Sequence, residues 1–194
     1  MKYKNKNYKM SYSGVLYIDE KSEQIGSFIP KAKNGNVFSQ QLKRYEINMQ
    51  SVVIRNDIPV EFDETMQFSP DFDLFMKISS KYNVCVINKH LVKYRKLHNS
   101  LSSKKMHRWW IETKQTLDNI CESNLELKIT YKNESKIAYA KVSYYKARYL
   151  MKINEHKKAI KELFECKSVN ITYFFLFLLS LTPKRVWDFI HEYK

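Results

Sequence analysis

Glycine is nearly absent, with three residues in a chain of 194. Since glycine is the default wherever a backbone must turn left-handed, the loops have to draw on Asn, Ser and Asp for such conformations. The four prolines form no tract, and collagen-like and low-complexity architectures are excluded. Cysteine is also sparse. Cys85, Cys121 and Cys166 are odd in number, far apart and without a C-x-x-C pair, which argues against a disulfide framework and for a reducing compartment. Cys85 lies within Val84-Cys85-Val86-Ile87 and reads as a small buried hydrophobe. No apolar segment of secretory length follows the basic N-terminus MKYKNKNYKM, so a cytoplasmic location is expected. A long hydrophobic run is missing too. The longest, residues 171–181, is about half of the ~20 residues that span a bilayer.

What is present is a chain able to fold and strongly basic. Apolar residues make up 44% of it, enough for a single core of ordinary size. Lys and Arg number 34 against 20 acids, a net charge of +14. Such a field attracts polyanions, whether nucleic acid, an anionic membrane face or phosphorylated substrates. The lysines are scattered among Asn, Tyr and Ile, however, so a compositional bias of the coding sequence accounts for the excess equally well. No RNP-like strand or zinc spacing accompanies the charge, and no specific nucleic-acid partner is expected.

The patterning divides near residue 103. Before it, short β-like runs at 13–18, 51–55, 83–87 and 91–95 are rich in Val, Ile or Tyr, and Asp19-Glu20-Lys21-Ser22 reads as a turn. Ser69 and Pro70 supply a cap and a first helical position, with Leu74, Phe75 and Ile78 following at helical spacing. Beyond it, helices are expected at about 104–122, 136–152 and 155–167, then the apolar run, then a last helix opened by Thr182-Pro183 and ending at Tyr193. Ala140, Tyr144, Ala147, Ala159 and Leu163 have the spacing of a packed helical hairpin. The expected class is therefore α/β, a mixed sheet over 1–102 followed by an all-helical region over 103–194.

Two carboxylates, Asp71 and Asp73, fall in the first turn of the helix that begins at Pro70. Acids there interact favourably with the positive end of the helix dipole, by a few tenths of a kcal/mol to about one, and this alone explains both. The surrounding order adds a second reading. Gly35-Asn36-Val37-Phe38, Ser51-Val52-Val53-Ile54-Arg55, Phe62-Asp63-Glu64, Asp71-Phe72-Asp73-Leu74, and Tyr94-Arg95 with Ser100-Leu101-Ser102 together resemble the family 2 glycosyltransferases, over about residues 11–102.

That resemblance implies a partial GT-A-like fold, and transfer of a sugar from a nucleotide-sugar to an acceptor hydroxyl in bacterial surface-polysaccharide or lipopolysaccharide synthesis. It implies Asp71 as the general base, Arg95 as a phosphate or substrate contact, Asp73 as a substrate-side helper holding the helix start, and His98 as a further substrate contact. Beyond the matched span, Trp109 of the aromatic pair next to the expected acceptor side is expected to stack on a sugar. The chain departs from the pattern in three places. Pro70 stands where the family has Glu, and His98 comes one residue late. The nucleotide-binding front half, with the D-x-D carboxylates that hold Mg or Mn, has no counterpart. No cofactor is expected on this chain alone, and a separate donor-binding half, or self-association through exposed strand edges, is expected to complete it. The acceptor class implied is a saccharide or a lipid-linked sugar.

The aromatic tail, with Phe174, Phe175, Phe177, Leu178 and Leu181 before Lys184, Arg185, Trp187 and Phe189, has two readings. It is either core, packed back on the α/β half, or an interfacial element at the inner face of the plasma membrane. A non-enzymatic membrane- or protein-binding module is thus the alternative to the transferase. Trp109 and Trp110 are adjacent and face about 100° apart on a helix, so at most one lines a site.

Overall fold

The computed structural model describes residues 7–97 and 106–192. The order of elements is α/β in the first part and wholly helical in the second. The central strand is β1 (Tyr8–Ile18), in which Met10, Tyr12, Val15 and Ile18 are buried. Its second half pairs antiparallel with β2 (Gln24–Phe28), its first half with the two-residue β3 (Val53–Ile54), and its other edge parallel with β4 (Asn83–Arg95). The sheet is therefore mixed. Between β2 and β3 lie α1 (Phe38–Lys43) and a single 3-10 turn, Met49–Ser51; α2 (Pro70–Lys81) precedes β4.

The runs expected at 83–87 and 91–95 are one continuous strand. Continuity is possible because the register slips at Gly14, which pairs with His90 while Ser13 pairs with Ile87. A Cβ on Gly14 would meet the Phe28 carbonyl oxygen at 2.7 Å and that of Lys89 at 3.1 Å, so only glycine lets both neighbours close around the bulge. The run expected at 51–55 shrinks to Val53–Ile54, since the residues before it wind into the 3-10 turn. Scarcity of glycine is met as the composition requires: Ser22 and Asn154 take positive φ at 72° and 64° in two turns.

The helical part consists of α3 (Met106–Ser123), α4 (Leu125–Thr130), α5 (Lys132–Lys152), α6 (His156–Cys166), α7 (Ile171–Ser180) and α8 (Lys184–Glu192). Among the described residues no helix is long and apolar enough to cross a membrane. Three apolar clusters hold the molecule. One lies between the sheet and α2, with Tyr12, Val84, Val86, Leu74, Phe75 and Ile78. A second joins the two parts, setting Phe38, Leu42, Phe72 and Met76 against Leu117, Ile120, Ala138 and Val142. The third is the α5–α6 hairpin, where Ala140, Ala147, Ala159 and Leu163 let the helices approach closely and α7 and α8 pack on top. Helix α2 is thus covered on one side by the sheet and on the other by α3 and α5, which fixes where its N-terminus points.

Candidate active site

The start of α2 is positioned from a distance. Ser69 occupies the N-cap but its hydroxyl makes no capping bond to the helix. Instead Glu112 of α3, 4% exposed, accepts the backbone N–H groups of Gln67, Phe68 and Ser69 at 3.0, 2.9 and 2.8 Å. Burial opposes its charge, but the amides of Ser69, Gln67 and Phe68 and the Ser69 hydroxyl outweigh that and hold its ionisation below the ordinary glutamate value. Of these amides only that of Ser69 belongs to the N-cap; together the three charge-assisted bonds tie the loop that leads into α2 to α3.

With the loop so held, Asp71 faces a cavity of about 410 Å³ between α1, the start of α2, α3 and α5. Burial raises the pKa of its carboxyl, partly offset by hydrogen bonds from the amides of Phe72 and of Asp71 itself. Trp109 forms another wall, its ring centroid 3.8 Å from that of Tyr145 at an interplanar angle of 48°. Tyr45, Thr113 and Lys141 complete the polar lining. The Tyr45 hydroxyl and Thr113 Oγ1 are buried without a hydrogen-bond partner among the described residues. Such groups cost about 1–3 kcal/mol each when left unmade.

Two ionisable groups of opposite sign therefore line one cavity, and both are pushed toward neutrality. Burial, then the charge of Arg44, lowers the pKa of the Lys141 amine. Burial, then the charge of Asp71, drives the Tyr45 phenol well above its usual range. Perturbed ionisable groups gathered in a cleft make it the candidate site of this fold. A carboxylate of raised basicity beside an aromatic ring has the groups needed to hold a polyol and accept a proton from it.

The sequence-derived candidates are distributed unevenly. Asp71 and Trp109 share the cavity. Asp73 lies outside it, wholly buried, accepting a hydrogen bond from the Thr116 hydroxyl at 3.0 Å and paired with Lys77 at 2.6 Å; it pins α2 to α3. Arg95 ends β4 on the surface and donates to the carbonyls of Asp19 and Glu20 at 2.7 and 3.0 Å and to Ser22 Oγ at 2.9 Å, closing the β1–β2 turn. His98 and Ser100-Leu101-Ser102 lie outside the described residues. Trp110 turns away from Trp109 as helical geometry requires, with Lys146 Nζ 5.2 Å from its ring centroid. Tyr45, Thr113, Lys141, Tyr145 and Glu112 were not legible as site residues, because each reaches the start of α2 only through long-range packing.

Among the described residues no group of three or more His, Cys, Asp or Glu side chains is placed to hold a metal ion. The fold and cavity define an α/β protein with a helix-covered, carboxylate-bearing pocket. No family model, curated protein or solved structure matches the chain.

Proposed function

We propose that the chain is the acceptor-side half of a family 2 glycosyltransferase, in which the cavity receives a saccharide alcohol and Asp71 takes its proton. The observation that carries this reading is that the carboxyl of Asp71 lines the same cavity as Trp109, its basicity raised by burial. In the reaction the acceptor oxygen forms a bond to the anomeric carbon as the bond to the nucleoside diphosphate breaks. The proton passes to Asp71 and the electron pair leaves with the diphosphate. On this reading the chain supplies the base and a stacking surface, and the nucleotide-sugar, with the metal of a complete enzyme, would be held by a donor-binding half. The three thiols, unpaired in the fold, favour a cytoplasmic site of action.

Ligand-observed NMR with a panel of neutral and charged saccharides tests the pocket. Binding is expected to weaken roughly threefold to tenfold in Trp109→Ala, the loss of one stacking contact. Transfer by the chain combined with its donor-binding half is expected to fall by about 10²–10⁴ in Asp71→Asn. Undiminished transfer in that variant would remove Asp71 from the mechanism. A second reading, a non-enzymatic binding module, draws on Arg95, whose guanidinium is spent on the β1–β2 turn rather than offered to a diphosphate. Saccharide binding without transfer by the complemented pair would favour it.

A further inference from the structure

The cavity holds a charged group that proton transfer to Asp71 leaves unused. Among the described residues lining it, Lys141 of α5 is the one base and Asp71 the one acid. Lys141 is partly buried, and among the described residues its amine has neither a hydrogen-bond acceptor nor an ion-pair partner. Burial works against its charge, and the neighbouring charge that acts on it, that of Arg44, has the same sign. Arg44 is itself weakly engaged, its Nε lying 3.9 Å from Glu46 Oε1.

The acids of the surrounding elements are committed elsewhere. Glu112 accepts three loop amides, and Asp73 accepts from the Thr116 hydroxyl and pairs with Lys77. Glu134, on α5 itself, accepts from the Ser39 hydroxyl at 3.1 Å, and Glu46 accepts the amides of Lys31 and Ala32 at 2.9 and 3.0 Å. A cation drawn out of water without a counter-charge is costly to a fold, and an anion is what relieves it. A neutral ligand would leave the amine as it stands, whereas an anion without hydroxyls would meet Asp71 as a like charge. We infer that the ligand of this cavity is a saccharide bearing a carboxylate or a phosphate, its negative group received by Lys141 while one of its hydroxyls meets Asp71. Lys141 is then the residue that selects an acidic saccharide over a neutral one. This rests on the acceptor-site reading, since it takes the same cavity and the same role for Asp71.

Titration calorimetry of the full chain with matched saccharides tests this: methyl glucoside as the neutral member, methyl glucuronide as the carboxylate and a methyl glucoside phosphate as the phosphate. At low salt an anionic member is expected to bind roughly tenfold more tightly than the neutral one, by a margin that shrinks as salt rises. Which of the two anions binds better names the source of the charge. In Lys141→Met, which keeps the length of the stem, the preference is expected to vanish while the affinity for methyl glucoside stays. Thermal unfolding at or above that of the parent chain shows the fold intact, since an unpaired buried charge has been removed. Lys141→Gln, polar and uncharged, is the second variant and is expected to lose the preference in the same way. Equal binding of all three saccharides, or a preference that survives both substitutions, overturns the inference and leaves the acceptor site standing. Binding by none of them overturns both.

Discussion

Asp71 and Glu112 both serve the start of α2, and burial acts on both, yet their ionisation moves in opposite directions. Glu112 is held down by the three amides it accepts; Asp71 is pushed up because its own two amide contacts do not match its desolvation. The consequences for stability differ in sign. Stabilisation by Glu112 is complete above the ordinary glutamate value of 4.5 and is lost as pH falls through its lower folded value. Glu112→Gln is expected to cost about 1–3 kcal/mol at neutral pH in urea unfolding, and to flatten the acid limb of the stability profile. A profile unchanged in shape would move the acid sensitivity to another carboxylate. Ionised Asp71 is a burden on the fold above its raised pKa, and the burden vanishes below the ordinary value of 3.8. Asp71→Asn is therefore expected to stabilise the chain at neutral pH, with a gain that shrinks in acid, and, on the proposed role, to lower transfer by about 10²–10⁴, a trade of stability for activity.

At the scale of elements, the sheet depends on Gly14 and the hairpin on Arg95. Gly14→Ala forces a methyl against two backbone oxygens and is expected to cost about 1–3 kcal/mol, measured by denaturant unfolding. Arg95→Ala removes three hydrogen bonds from an exposed turn. Saccharide binding in the cavity is expected to survive that change, with faster amide exchange confined to the ends of β1 and β2. Helices were the most legible elements: α2, α3, α5, α6 and α8 were expected as helices, and α7 as an apolar run. The edge strand β2 and the six-residue α1 and α4 were not. Gln24-Ile25-Gly26-Ser27-Phe28 has too weak an alternation, and α4 buries no side chain, although its Asn124 cap, accepting from the Leu127 amide, was a readable signal.

For the whole molecule, the two compositional regions are joined by one core. Phe38, Leu42, Phe72 and Met76 of the α/β part are covered by α3 and α5. A chain ended at residue 103 is expected to lose cooperative unfolding and dispersed amide resonances, because those four side chains would meet water; a well-dispersed spectrum would show that the sheet and α2 suffice. Sheet edges are the other feature at this scale. Among the described residues the outer edge of β2 has no strand beside it, and the outer edge of β4 is bridged at Val84 by Gly35 and held at Val86, whose amide donates to Asn34 Oδ1 at 2.6 Å. A strand edge left unpaired is open to strand addition.

By itself the sequence determined the class, the helix periods and the place of Asp71 in a first helical turn, since these follow from local spacing and from backbone preferences a few residues long. Tertiary structure alone decided that Asp71 opens on a cavity while Asp73 is locked to Thr116, that Arg95 closes a turn, and that Glu112 holds the loop into α2 at Ser69, 43 residues earlier in the chain. Neighbouring carboxylates in one helical turn differ by about 100° in direction for each residue. Which of them meets a ligand and which meets a core depends on the helices that later pack around them.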